Sequence, residues 1–129
     1  MNAQLSIFSF LPDVSAAPAL YTPAAEEGDT IEDRFARFNK ANPQVYSALR
    51  EMALTLKDQG IRHYGIAALF EVLRFSRAMQ TGGDAYKLNN DYRALYARRL
   101  MEEEPELAGF FELRQRRGEL ETDMEATAA

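Results

Sequence analysis

Asn42-Pro43-Gln44-Val45-Tyr46-Ser47-Ala48-Leu49-Arg50-Glu51-Met52-Ala53-Leu54-Thr55-Leu56-Lys57-Asp58-Gln59-Gly60 is the stretch that declares the fold class. Asn42 is a natural N-cap, and Pro43 suits the first helical position, where the backbone N–H has no partner in any case. Val45, Leu49, Met52, Ala53 and Leu56 then recur at the spacing of one helical face, while Arg50, Glu51, Lys57 and Asp58 fall outside it. Gly60 is a natural stop. The pattern predicts an amphipathic helix of about four turns, which needs neighbours to cover its apolar stripe.

Both flanks supply them. Upstream, Thr30 followed by Asp33 makes a variant capping box, and Ile31, Phe35 and Phe38 at helical spacing predict a first helix ending near Asn42. Downstream, a third helix is expected from about Gly65 to Gln80. Ile66, Leu69, Phe70 and Leu73 form one face, and Ala68, Val72, Phe75 and Met79 nearly the opposite one, the mark of a central helix packed on both sides. Thr81-Gly82-Gly83-Asp84 breaks it. Asn90 is the expected cap of a fourth helix through Glu104, with Tyr92, Leu95, Tyr96 and Leu100 inward, and Pro105 the start of a last helix bearing Leu107, Phe110, Phe111 and Leu113. The expected fold is all-α: a compact bundle of about five helices over residues 30–117, with a helix-turn-helix-like third and fourth pair. Residues 9–29, rich in Ala and Pro without a period, read as a disordered linker completing a flexible arm over 1–29, and 118–129 as a disordered acidic tail.

Composition narrows the function classes. In 129 residues there is no cysteine and one histidine, His63, so disulfides, thiolate chemistry, cysteine-ligated zinc and a Ser-His-Asp triad are not expected. No stretch approaches the roughly 18 apolar residues of a membrane span, and no Lys or Arg precedes the short apolar run in residues 1–11, so neither a membrane protein nor a secretory leader is expected. The expectation is a cytoplasmic binding protein, not an enzyme, with no cofactor and no metal, in a bacterial host cell. The net charge is −5, yet all 15 Lys and Arg lie within residues 31–117 against 12 Asp and Glu, a net of +3 for the body. A mildly basic body with acidic ends is compatible with nucleic acid.

Gln4-Leu5-Ser6-Ile7-Phe8 resembles the linear motif by which bacterial replication and repair proteins dock on the DNA sliding clamp, Gln-Leu-(Ser or Asp)-Leu-Phe, with Ile7 the one conservative departure. Gln4 can donate and accept hydrogen bonds at a pocket rim, and Leu5, Ile7 and Phe8 can anchor an extended peptide in a preformed groove. A linker of about 20 residues would span on the order of 25 Å and hold the body near the clamp. The alternative is a strap, with residues 5–10 folded back over the bundle.

A second, more diffuse pattern lies in the body. Lys87, Asn89 and Asn90 at a helix start, with Arg93 and Arg98 on that helix and Arg62 beside His63, are candidate nucleic-acid contacts, because Asn pairs with adenine, Arg with guanine, and helix N-termini with phosphate. The competing role for the same residues is local: capping, turn formation and solvation of an outer face. The acidic run Glu102-Glu103-Glu104-Pro105-Glu106 points in diverging directions and reads as a solvated turn rather than a metal site.

Phe38-Asn39-Lys40-Ala41-Asn42-Pro43, Tyr64-Gly65-Ile66, Ala68-Leu69-Phe70-Glu71, Lys87-Leu88-Asn89-Asn90 and Tyr96-Ala97-Arg98 together resemble a group of small uncharacterised helical proteins encoded by phages and prophages. The resemblance implies a mobile-element origin and a binding role: replication accessory on the sliding clamp, DNA-binding regulator using the helix after Asn90, or protein inhibitor of a host defence system. The expected partners are the bacterial sliding clamp and DNA. The sequence leaves the oligomeric state open.

Overall fold

The computed structural model describes residues 11–83 and 86–113. Among these residues there are four α-helices: α1 (Ile31–Ala41), α2 (Pro43–Asp58), α3 (Ile66–Thr81) and α4 (Arg93–Glu103). Short 3-10 turns at Asn90–Tyr92 and Pro105–Leu107 bracket α4. The all-α class expected from the periodicity holds. None of these helices is long and apolar enough to cross a membrane.

Local chemistry sets the helix limits. The Thr30 hydroxyl accepts from the Asp33 N–H (3.1 Å) and the Asp33 carboxylate accepts from the Thr30 N–H (3.0 Å), closing the capping box that starts α1. Ahead of it, Asp29 accepts from the Glu26 N–H (2.6 Å) and from the Arg37 guanidinium, which also reaches Glu26. The Arg37 hydrogen bond comes first in holding the Asp29 carboxyl below its ordinary range. Gly82 ends α3 in the left-handed conformation (φ +75°).

The core is built around α4. Tyr96, Ala97 and Leu100 are fully buried. The Tyr96 ring meets Phe35 of α1 edge-on at 4.8 Å and Phe70 of α3 at 5.9 Å, while Tyr92 packs against Phe35 (5.7 Å) and Phe38 (5.2 Å). Val45, Leu49, Met52 and Ala53 of α2 and Leu69, Phe70 and Leu73 of α3 complete it. At the surface, Glu103 of α4 accepts from the Tyr46 hydroxyl of α2 (2.5 Å) and from Arg99 Nε (3.1 Å), and Arg50 pairs with Glu104. Burial, then the Glu103 contact, raises the Tyr46 hydroxyl above the usual phenol range. The acidic run therefore joins α4 to α2 rather than standing as a solvated turn.

Three further expectations, about how the chain packs, are corrected, and with the third the role of Asn42. The segment 105–113 is not a helix. After the 3-10 turn, Gly109 at φ +73° turns the chain, and the Tyr64 N–H donates to the Phe110 carbonyl (3.1 Å) in an isolated bridge between Tyr64 and Phe111. Leu107, Phe110 and Phe111 are still buried, as their helix-like spacing suggested. Second, α3 is covered on one side only. α2 and α4 both pack on its Ile66, Leu69, Phe70 and Leu73 side, leaving Phe75 50% and Met79 67% exposed.

Third, residues 11–29, expected to lie within a disordered arm, run over the bundle. Val14 is buried, and the Gln80 side chain accepts from the Val14 N–H (2.8 Å) and donates to the Pro12 carbonyl (2.9 Å). Arg77, 5% exposed, donates to the carbonyls of Val14 (2.7 Å) and Ala17 (2.6 Å) and stacks on Tyr86 at 4.9 Å. Asn42, expected to cap α2, turns its side chain the other way. Its oxygen accepts from the Tyr21 N–H (2.7 Å), and its amide donates to the carbonyls of Tyr21 (2.7 Å) and Phe38 (2.9 Å).

Two substitutions test this account. Asn42→Ala is expected to cost about 2 kcal/mol, because it removes both hydrogen bonds to the Tyr21 backbone and one of the two that the Phe38 carbonyl accepts, and to speed proteolysis within residues 12–21. Thermal unfolding and limited digestion read both effects. Tyr96 has its hydroxyl buried with no hydrogen-bond partner, and desolvation raises it above the ordinary phenol range. The folded state therefore keeps that proton to higher pH than the unfolded chain does. The stability tied to it is complete below about pH 10 and is lost as pH rises beyond, by up to roughly 1.4 kcal/mol per pH unit. Tyr96→Phe is expected to be more stable by about 1 kcal/mol at neutral pH and to flatten that alkaline limb in a pH series of denaturant melts.

Candidate interaction surfaces

The chain leaving α3 does not make the tight turn of a helix-turn-helix. It runs back along α3: Tyr86 lies on Arg77, the Leu88 carbonyl accepts from Arg74 Nη2 (2.7 Å), and Asn90 lies near Ile66 and Ala67 at the start of α3. Tyr86 and Leu88 are buried, so this return segment is part of the core's wall. The connection needs its length because it retraces most of a 16-residue helix, about 24 Å long.

That path engages the candidate nucleic-acid residues in local structure. The Asn89 side-chain oxygen accepts from the Asp91 N–H (2.9 Å) and caps the 3-10 turn, a role the sequence suggested for Asn90 at the start of α4. The Asn90 oxygen accepts from Arg74 Nη2 (2.5 Å), and Arg74 also pairs with Glu71 and lies 5.7 Å from the Phe70 ring centroid. Arg93 Nε donates to the Asn90 carbonyl (3.1 Å).

Asn90 and Arg93 share a groove of about 400 Å³ with Asp91, Glu112, Ile66 and Ala67. Two carboxylates beside one guanidinium make it a poor phosphate site. Lys87 is exposed on the return segment, Arg98 is half-buried on α4, and Arg62 is exposed in the loop between α2 and α3. His63 of that loop contacts the Gly109 carbonyl through Nδ1 (3.1 Å), a structural contact to the turn after α4. A second groove, about 570 Å³, lies along the outer side of α2 between Arg50, Glu51, Asp58 and Glu106. Among the described residues no cluster of three or more His, Asp or Glu side chains could hold a metal ion.

The clamp-motif residues Gln4, Leu5, Ser6, Ile7 and Phe8 lie outside the described residues, as do Arg114, Arg116 and Arg117. What the structure fixes is the point from which the N-terminal residues depart: Pro12 and Val14, tied to Gln80 on the last turn of α3. One surface escaped the sequence reading. Phe75 and Met79 carry helical spacing, which is the same for a face covered by a neighbour and for one left open.

The chain matches no family model, no curated protein and no solved structure.

If the asparagines serve the fold, Asn90→Ala is expected to lower stability by about 1 kcal/mol and to leave any affinity for duplex DNA unchanged. A melt and a salt-dependent DNA titration of the same variant check this. A DNA affinity that falls tenfold with stability intact would return Asn90 to a base-reading role.

Proposed function

We propose that this chain is a phage-type accessory binding protein that docks on the bacterial DNA sliding clamp through Gln4, Leu5, Ser6, Ile7 and Phe8, and so acts in or against DNA replication or repair in the host cell. The observation that carries the proposal is the pentapeptide itself, which resembles the clamp-docking pattern at every position but Ile7. Such a peptide binds by laying apolar side chains into a preformed groove while its glutamine satisfies the rim. The chain has no catalytic part in this scheme. Its work is occupancy: holding the clamp against other clients, or delivering the helical body to it.

The tertiary structure supports this role over base reading by the helix after Asn90. The side-chain oxygens of Asn89 and Asn90 take local bonds, and the nearby groove mixes Asp91 and Glu112 with Arg93. Residues 12–21 pack on the bundle and only three residues lie between Phe8 and Pro12, which supports a role in which the body shields the groove by bulk.

Titration of a purified bacterial sliding clamp with the full-length chain, against a Leu5→Ala, Phe8→Ala variant, tests the proposal. Binding at micromolar Kd or tighter, weakened at least about 30-fold in the variant (roughly 2 kcal/mol), is the expected outcome. Absence of binding by the unaltered chain would overturn it and shift attention to DNA or to a host-defence protein as the partner.

A further inference from the structure

We propose that the open face of α3, carrying Phe75 and Met79, is a second contact with the same partner that captures residues 4–8, seated on an apolar ledge beside that partner's peptide groove. This rests on the docking proposed above and adds which side of the body meets the partner.

Two observations carry it. The first is the face itself. Phe75 and Met79 lie four residues apart on one line of α3, half and two-thirds exposed, with Ala68 and the half-buried Val72 continuing the line. They point away from Leu69 and Leu73, so they contribute little to the core. Adjacent exposed apolar side chains of this size mark an interaction surface.

The second is where the N-terminal chain meets the body. The Gln80 side chain holds both the Pro12 carbonyl and the Val14 N–H, and Val14 is buried beneath Arg77. Only Ser9, Phe10 and Leu11 separate Phe8 from Pro12. Four residue steps reach at most about 14 Å when fully extended. Gln80 follows Met79 about 100° round the helix, and Phe75 lies five residues back, roughly 7.5 Å along and about 140° round a helix about 10 Å across, so the chain leaving Pro12 reaches this face by passing round the end of α3. A partner gripping Leu5 and Phe8 is therefore held within reach of the end of α3 that bears the open face. Three residues rather than twenty separate Phe8 from the anchored Pro12, so the two contacts act nearly as one and each raises the effective concentration of the other. A second copy of this chain has no such reason to select this face.

The test uses the full-length chain and a purified bacterial sliding clamp, with a synthetic peptide of residues 1–11 as reference. The unaltered chain is expected to bind at least tenfold tighter than the peptide, and Phe75→Ser, Met79→Ser is expected to bring it down to the peptide's affinity. Both side chains are largely exposed, so an unchanged melting temperature of that variant is part of the expectation. Hydrogen exchange on the unaltered complex provides a check free of mutation, with slowed exchange expected across residues 72–79. A Phe75, Met79 variant that binds like the unaltered chain, with no protection of α3, would sink the second contact while leaving peptide docking intact. A chain that fails to bind the clamp at all would remove the docking itself. A concentration-dependent dimer that this variant abolishes would assign the face to self-association instead.

Discussion

Everything in this fold leans on the burial of Tyr96. Its ring is the meeting point of α1, α3 and α4, with Phe35 on one side and Phe70 on the other. Aromatic contacts of this kind are specific in angle as well as area, so they set how the helices lie across one another. The position carries a cost, since the Tyr96 hydroxyl is desolvated without a partner. That its ring nevertheless occupies the centre shows how far apolar area outweighs one lost hydrogen bond in a small domain.

A second constraint comes from side chains that bond to distant backbone. Asn42, Arg77 and Gln80 grip the carbonyls and N–H groups of residues 12–21 across 21 to 68 positions of sequence. The result covers an edge of the bundle with chain that buries Pro12 and Val14 and packs Ala17 and Leu20 against the core. It also changes what the N-terminal residues can do. A peptide on a 20-residue coil would wander far from the body, whereas a peptide beginning a few residues ahead of Pro12 carries the body with it.

Similar economy governs the charged residues. Arg50, Arg74 and Arg77, with Glu103 and Glu104, hold elements together, Arg99 pairs with Glu103 within α4, and the asparagines before α4 turn and cap the chain. Exposed pairs among them contribute little each, but they occupy groups of the kind that read nucleic acid. Phe75 and Met79 remain exposed side by side on the outer side of α3.

Periodicity in the sequence was enough to determine the all-α class, the capping box of α1, the extent of α2 and α3 to within a residue or so, and most of the core, though not Val14, Ala48, Tyr86, Leu88 or Ala97. These depend on neighbours within a few positions, where helix geometry and capping act. Only the tertiary structure decided the rest. Leu107, Phe110 and Phe111 are spaced for a helix, yet Gly109 takes a left-handed conformation and the Phe110 carbonyl finds Tyr64, 46 residues away. Phe75 and Met79 have the spacing of a buried face, but whether a helix face is covered depends on where its neighbours come to rest. The path of residues 12–21 was invisible for the same reason: the side chains that hold it come from α3 and the start of α2, and long-range hydrogen bonds to backbone leave no repeating mark in a sequence.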